Sequence, residues 1–122
     1  MAPVALPSGP LEGGEEVTVS GVGGTSDDVD HNDILKYITV TTITNSDFIV
    51  EGMVYTSAGG DSVKNICTGD SGGPAVLNAA DGDPQQVGIV SFGGDTGCEQ
   101  RNPSGFTRIA YYRNWIKEKS GV

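Results

Sequence analysis

Cys67-Thr68-Gly69-Asp70-Ser71-Gly72-Gly73-Pro74 sets a serine and a carboxylate among three glycines and closes them with a proline. Glycine loses more backbone freedom on folding than any other residue, so a chain keeps it where backbone must bend tightly or approach something closely. With glycines close on both sides, the Ser71 hydroxyl is uncrowded. A tight turn through Gly69, Asp70 and Ser71 can also aim the N–H groups of Gly69 and Ser71 at one point, which is the arrangement of a nucleophile beside an oxyanion hole. On residue types alone the same string also reads as a polar turn between two strands.

The whole octet, with its leading cysteine and closing proline, resembles the nucleophile loop of the chymotrypsin-like serine proteases, and the hexapeptide Gly69 to Pro74 is highly specific to that family. Pro3-Val4-Ala5-Leu6-Pro7-Ser8 resembles the segment that joins the two β-barrels of such enzymes, so the resemblance spans nearly all 122 residues. It implies an all-β fold, one six-stranded antiparallel Greek-key barrel with a short C-terminal helix. Residues 1–14 are then an interdomain connector and 15–122 the second, nucleophile-bearing barrel. Ser71 is the implied nucleophile, with Gly69 and Ser71 supplying the oxyanion-hole N–H groups. A serine hydroxyl attacks only with a histidine base held by a carboxylate. In the family both belong to the first barrel, which this chain lacks.

Composition fits one β-rich domain: 122 residues, 19 glycines, and helical patterning limited to the C-terminal end. Sixteen acidic against seven basic residues give a net charge of -9, which repels phosphate backbones and anionic lipid and argues against nucleic-acid and membrane partners. No apolar run approaches membrane length, and the N-terminus has no signal-peptide pattern. Met1 reads as a start codon placed before a segment of a longer chain. Two cysteines, Cys67 and Cys98, fit either free thiols or one bridge. The resemblance implies the bridge, and with it a secreted, extracellular protein made as a zymogen.

In chain order, Pro3 to Gly14 reads as an extended connector without a packed face. Glu15 to Ser20 alternates as a strand, ended by Gly21-Val22-Gly23-Gly24, where Val22 replaces an aromatic usual in the family. Thr25 to Asp33 is an acidic loop. Its alternating Asp28, Asp30 and Asn32 resemble a calcium loop only superficially, with no glycine at the sixth place and no glutamate at the twelfth, so we expect no metal. His31, the single histidine, and Asp33 read as loop residues, Asp33 lying far too close in sequence to Ser71 to be the family's aspartate. Leu35 to Thr44 is a long strand rich in β-branched residues, and Asn45-Ser46-Asp47 is a turn. Phe48 and Tyr55 stand where the family often has a disulfide, so an aromatic contact between them is expected. Strands follow at Met53 to Thr56, Ala75 to Leu77, Gln86 to Phe92 and Ser104 to Ile109, with a hairpin turn at Asp81 to Pro84. Ile109, Tyr112, Trp115 and Ile116 recur at helical spacing, with Lys117 and Lys119 near a terminus that favours cations. They predict a helix packed on the barrel by its aromatics.

The resemblance also assigns a substrate cleft. Ser91-Phe92-Gly93 matches the family's edge strand, to which a peptide adds as a further strand. Asn65 maps to the floor of the primary specificity pocket, with Ser104 on the opposite wall, and Thr68 is a further substrate-binding residue. Asn65 and Ser104 are both uncharged, which implies cleavage after uncharged, apolar or aromatic residues, though Asp95 and Glu99 stand near the mouth in sequence. Without the resemblance, Asn65 is a turn cap and Ser91 an ordinary strand serine. Phe92, Gly105-Phe106-Thr107-Arg108-Ile109 and Trp115 resemble the brachyurin-type enzymes of arthropods. Asp70 is the activation-pocket carboxylate, paired in active enzymes with an α-amino terminus released from the first half. With none to meet it, Asp70 is expected to turn outward and leave the Gly69 N–H misaimed, because a buried unpaired carboxylate is costly. The implied function is a serine endopeptidase acting on peptide or protein, without cofactor, once a first barrel supplies histidine and aspartate. The competing reading is a non-catalytic barrel that binds peptide or protein. The face that the first barrel would cover implies homodimerisation or poor solubility of the isolated chain.

Overall fold

In the computed structural model, residues 3–7, 13–26, 29–43, 52–57, 65–78, 83–93 and 104–122 are described, those at 25–26 and 29–31 by their backbone only. Six strands form a closed antiparallel barrel: β1 (Glu16–Ser26), β2 (Val29–Ile43), β3 (Met53–Thr56), β4 (Pro74–Leu77), β5 (Gln85–Phe92) and β6 (Ser104–Arg108), paired in the order β1-β2-β3-β6-β5-β4. The ring closes where Val17, Thr18 and Val19 of β1 meet Leu77, Val76 and Ala75 of β4. A 3-10 turn (Ile109–Tyr112) leads into the helix α1 (Arg113–Ser120).

Alternation sorts the strands. Val17 and Val19 point inward beside Val40, Val54, Ala75, Val87, Val90 and the fully buried Phe106, with Ile66 filling one end. The intervening Thr18 and Ser20 are only partly covered. Alternating β-branched residues thus give one apolar face, and six such faces curl around Phe106. Thr42 is polar and buried, but its hydroxyl accepts the Glu15 N–H at 2.9 Å, so its burial leaves the acceptor satisfied.

Three expectations need correcting. β1 does not stop at Ser20 and no acidic loop spans Thr25 to Asp33. The two strands run on as a ribbon, with Gly23 opposite His31 and Ser26 opposite Val29, and two register shifts lie between Gly21 and Ser26. Bulges absorb the glycines that otherwise read as a strand end. The connector is not without a packed face: the Ala5 carbonyl accepts the Gln86 N–H at 2.9 Å, and Pro7 is buried. At the other end the helix forms, but its aromatics do not enter the core. Trp115 is 58% exposed, with Tyr111 and Tyr112 also exposed and no residue of α1 buried. The 3-10 turn, with three residues per turn, breaks the phase between Ile109, which is buried, and the residues after it. Asn45 to Asp47, Phe48 and the Asp81-Gly82 pair lie outside the described residues.

Candidate active site

The nucleophile octet is a turn strapped to three strands. The Asp70 N–H donates to the Cys67 carbonyl and the Gly73 N–H to the Asp70 carbonyl, each at 3.0 Å. Toward β5, the Gly72 N–H donates to the Val90 carbonyl and the Val90 N–H returns to the Gly73 carbonyl, both at 2.9 Å. Toward β1, the Gly24 N–H reaches the Thr68 carbonyl at 2.8 Å, and Pro74 opens β4 directly. Gly69 and Gly72 adopt φ of 95° and 87°, a region in which a side chain is strained. Among the described residues, the N–H groups of Asp70, Gly72 and Gly73 are thus spoken for, and those of Gly69 and Ser71 donate to nothing. These two N–H groups flank Asp70 beside an exposed serine.

Asp70 does not turn outward. Its carboxylate is half-buried and faces β1, where Oδ1 accepts the Gly23 N–H and Oδ2 accepts the Cys67 N–H, each at 2.9 Å. Two backbone donors meet the need that the sequence leaves without a partner. The close fit depends on glycine, since a Cβ on Gly23 would stand 2.5 Å from the Asp70 carboxyl carbon and one on Gly21 would overlap its oxygen. Gly23 is a site residue that the sequence reading missed. Its only signal was the Gly21-x-Gly23 spacing, which also reads as a strand terminator.

Asn65 and Ser104, assigned by the resemblance to the specificity pocket, are in contact. The Ser104 hydroxyl donates to Asn65 Oδ1, which also accepts the Ile66 N–H at 3.1 Å. Ser104 is 1% exposed and Asn65 half-buried, so both acceptor positions of the Asn65 carbonyl oxygen are taken inside the protein. Gly93 passes close to Ile66: a Cβ there would lie 3.9 Å from Ile66 Cγ1. The exposed end of β5, Ser91 and Phe92, with Gly93 just after it, therefore runs beside the segment that carries Asn65 and leads into exposed Thr68. Phe92 is 48% exposed and meets Tyr55 edge-on, with ring centroids 6.1 Å apart and planes at 69°. This is a partner that the sequence did not suggest, since the expected contact of Tyr55 was Phe48.

Of the remaining candidates, Cys67 is disulfide-bonded, while Cys98, Asp95 and Glu99 lie outside the described residues. The His31 backbone pairs opposite Gly23 in the ribbon. Asn32, in the stretch weighed as a calcium loop, spends its side chain locally: Nδ2 donates to the Gly23 carbonyl at 2.7 Å and Oδ1 accepts the Ile34 N–H at 2.8 Å.

The trypsin family's sequence profile matches residues 1–116. The chain belongs to the trypsin family. This trypsin-family barrel is 34% identical to brachyurin of Leptuca pugilator, over all of this chain and 54% of the relative. It is 36% identical to serine protease 1 of Drosophila melanogaster, over 84% of this chain and 39% of that protein. To chymotrypsin-C of Rattus norvegicus it is 52% identical, over 51% of this chain and 24% of that protein. The chain thus spans about half the length, or less, of the curated relatives it matches.

Proposed function

We propose that this chain is the nucleophile-bearing C-terminal half of a secreted serine endopeptidase, with residues 1–14 as connector and 15–122 as barrel. Ser71 attacks a peptide carbonyl and forms the Ser71 Oγ–carbon bond. A histidine from a first barrel takes the hydroxyl proton and delivers it to the leaving amine, and an aspartate of that barrel holds the histidine. The N–H groups of Gly69 and Ser71 receive the oxyanion. The observation that carries this reading is that, among the described residues, the Gly69 and Ser71 N–H groups on either side of Asp70 donate to nothing beside an exposed serine.

The pocket floor favours an uncharged residue before the scissile bond. Neither Asn65 nor Ser104 bears a charge, and the Asn65 carbonyl oxygen is already satisfied by Ser104 and Ile66, so a lysine or arginine would be desolvated without compensation. The peptide adds as a strand along Ser91 to Gly93, with Thr68 at the rim. A Cys67–Cys98 bridge, supported by the bonded state of Cys67 in a chain of two cysteines, ties the nucleophile turn to the segment after that strand. The isolated chain is inactive on this reading because the general base is absent and not because the turn is misbuilt. Activation of the complete zymogen then brings an α-amino group to Asp70.

Labelling by a serine-directed phosphonate tests it. The chain alone is expected to label at the rate of free serine, and addition of a first barrel to label Ser71 stoichiometrically. Rapid labelling of the chain alone would overturn the dependence on a second half. Failure to label with the first barrel present would favour a peptide-binding module without catalysis.

A further inference from the structure

Phe92, Gly105 and Tyr55 form one row across three neighbouring strands: Phe92 pairs with Gly105 and Gly105 with Tyr55. The row lies on the outer face of the barrel, because Phe106 and Val54, the neighbours of Gly105 and Tyr55, point into the core. Strict alternation would carry Phe92 to the same side as buried Val90. The register shift between Val90 and Phe92 reverses this and sets Phe92 outward, opposite Gly105. Its ring then lies on the glycine: a Cβ on Gly105 would stand 2.5 Å from Phe92 Cζ and 2.6 Å from Cε1. Tyr55 closes the far side edge-on while remaining only 9% exposed itself.

An exposed phenylalanine with nothing beside it samples several rotamers, and fixing one of them on binding costs affinity. Here the glycine beneath and the tyrosine alongside fix it in the folded protein, leaving Phe92 exposed beside the exposed Ser91 and Gly93. We propose that Tyr55 is a positioning residue for substrate selection, holding Phe92 over Gly105 as a preset apolar shelf for a side chain of the bound peptide. This rests on the reading of Ser91 to Gly93 as the peptide edge, but not on catalysis.

The test is binding to the 122-residue chain, followed by NMR titration with an N-acetylated tripeptide amide carrying a central leucine and with its glycine counterpart. The unmodified chain is expected to prefer the leucine peptide by about tenfold, the worth of covering most of one aliphatic side chain. Tyr55→Leu should bring the preference below about threefold and leave the glycine peptide's affinity unchanged, and Tyr55→Phe should keep it. Gly105→Ala disturbs the same ring from beneath and should match Tyr55→Leu, which keeps the test available if that variant does not fold. A purely structural role would weaken both peptides alike, and that result overturns the proposal. So would an unchanged preference in both variants, or no leucine preference in the unmodified chain. The expected binding pattern together with no phosphonate labelling, even with a first barrel present, would support this inference and sink the protease reading.

Discussion

A carboxylate drawn halfway out of water needs donors, and Asp70 finds two in the backbone, at Gly23 and Cys67. Replacing one oxygen by an amide sets donor against donor. Asp70→Asn is therefore expected to destabilise the barrel by about 1–3 kcal/mol, read from urea unfolding. Gly23→Ala displaces the same carboxylate from the other side. The two changes should not add when combined, because they break one contact. At the proposed pocket floor, Asn65→Asp keeps an acceptor for the Ser104 hydroxyl and adds a charge. A charge-assisted hydrogen bond of about 2 kcal/mol should raise cleavage after lysine or arginine roughly thirtyfold in the complemented enzyme, as measured with chromogenic amides.

Among the elements, β3, β4, β5 and β6 fall within a residue of their sequence-predicted ends, because alternation and turn residues agree there. β1 and β2 were less legible. Gly21 to Gly24 carries the composition of a stop, and only cross-strand pairing, which no local window contains, carries the ribbon through it. The helix was legible as a helix but not in what its aromatics face. The octet pointed to the family because its residue types have few other uses together. Gly23 and Tyr55 meet Asp70 and Phe92 across long stretches of sequence, and the glycine spacing at Gly21 and Gly23 was the one local sign of either contact. The core itself makes a plain test. Phe106 is fully buried among strand valines, so Phe106→Ala should cost about 3–5 kcal/mol in the same urea assay.

For the molecule as a whole, Trp115, Tyr111 and Tyr112 lie exposed near the C-terminus, and Leu35 and Tyr37 on β2, at 69% and 74% exposure. Such surface is expected to drive self-association of the 122-residue chain despite the net charge of -9. Light scattering should report more than monomer mass, and Trp115→Lys should lower it. A clean monomer at high concentration would count against the covered-face reading. If the proposed Cys67–Cys98 bridge closes its loop, reduction should cost about 3–4 kcal/mol on the chain-entropy scale, visible as a lowered midpoint in thermal melting under reductant. The seam of the ring adds a last consequence. β4 starts at Pro74, immediately after the serine turn, and lies between β1 and β5, the two strands that hold that turn by hydrogen bonds. Sealing the cylinder and shaping the reactive loop are therefore one cooperative event. A nascent chain whose first and fourth strands have not yet met carries Ser71 on slack backbone, so the turn can take shape no earlier than the most distant pairing between the barrel's strands.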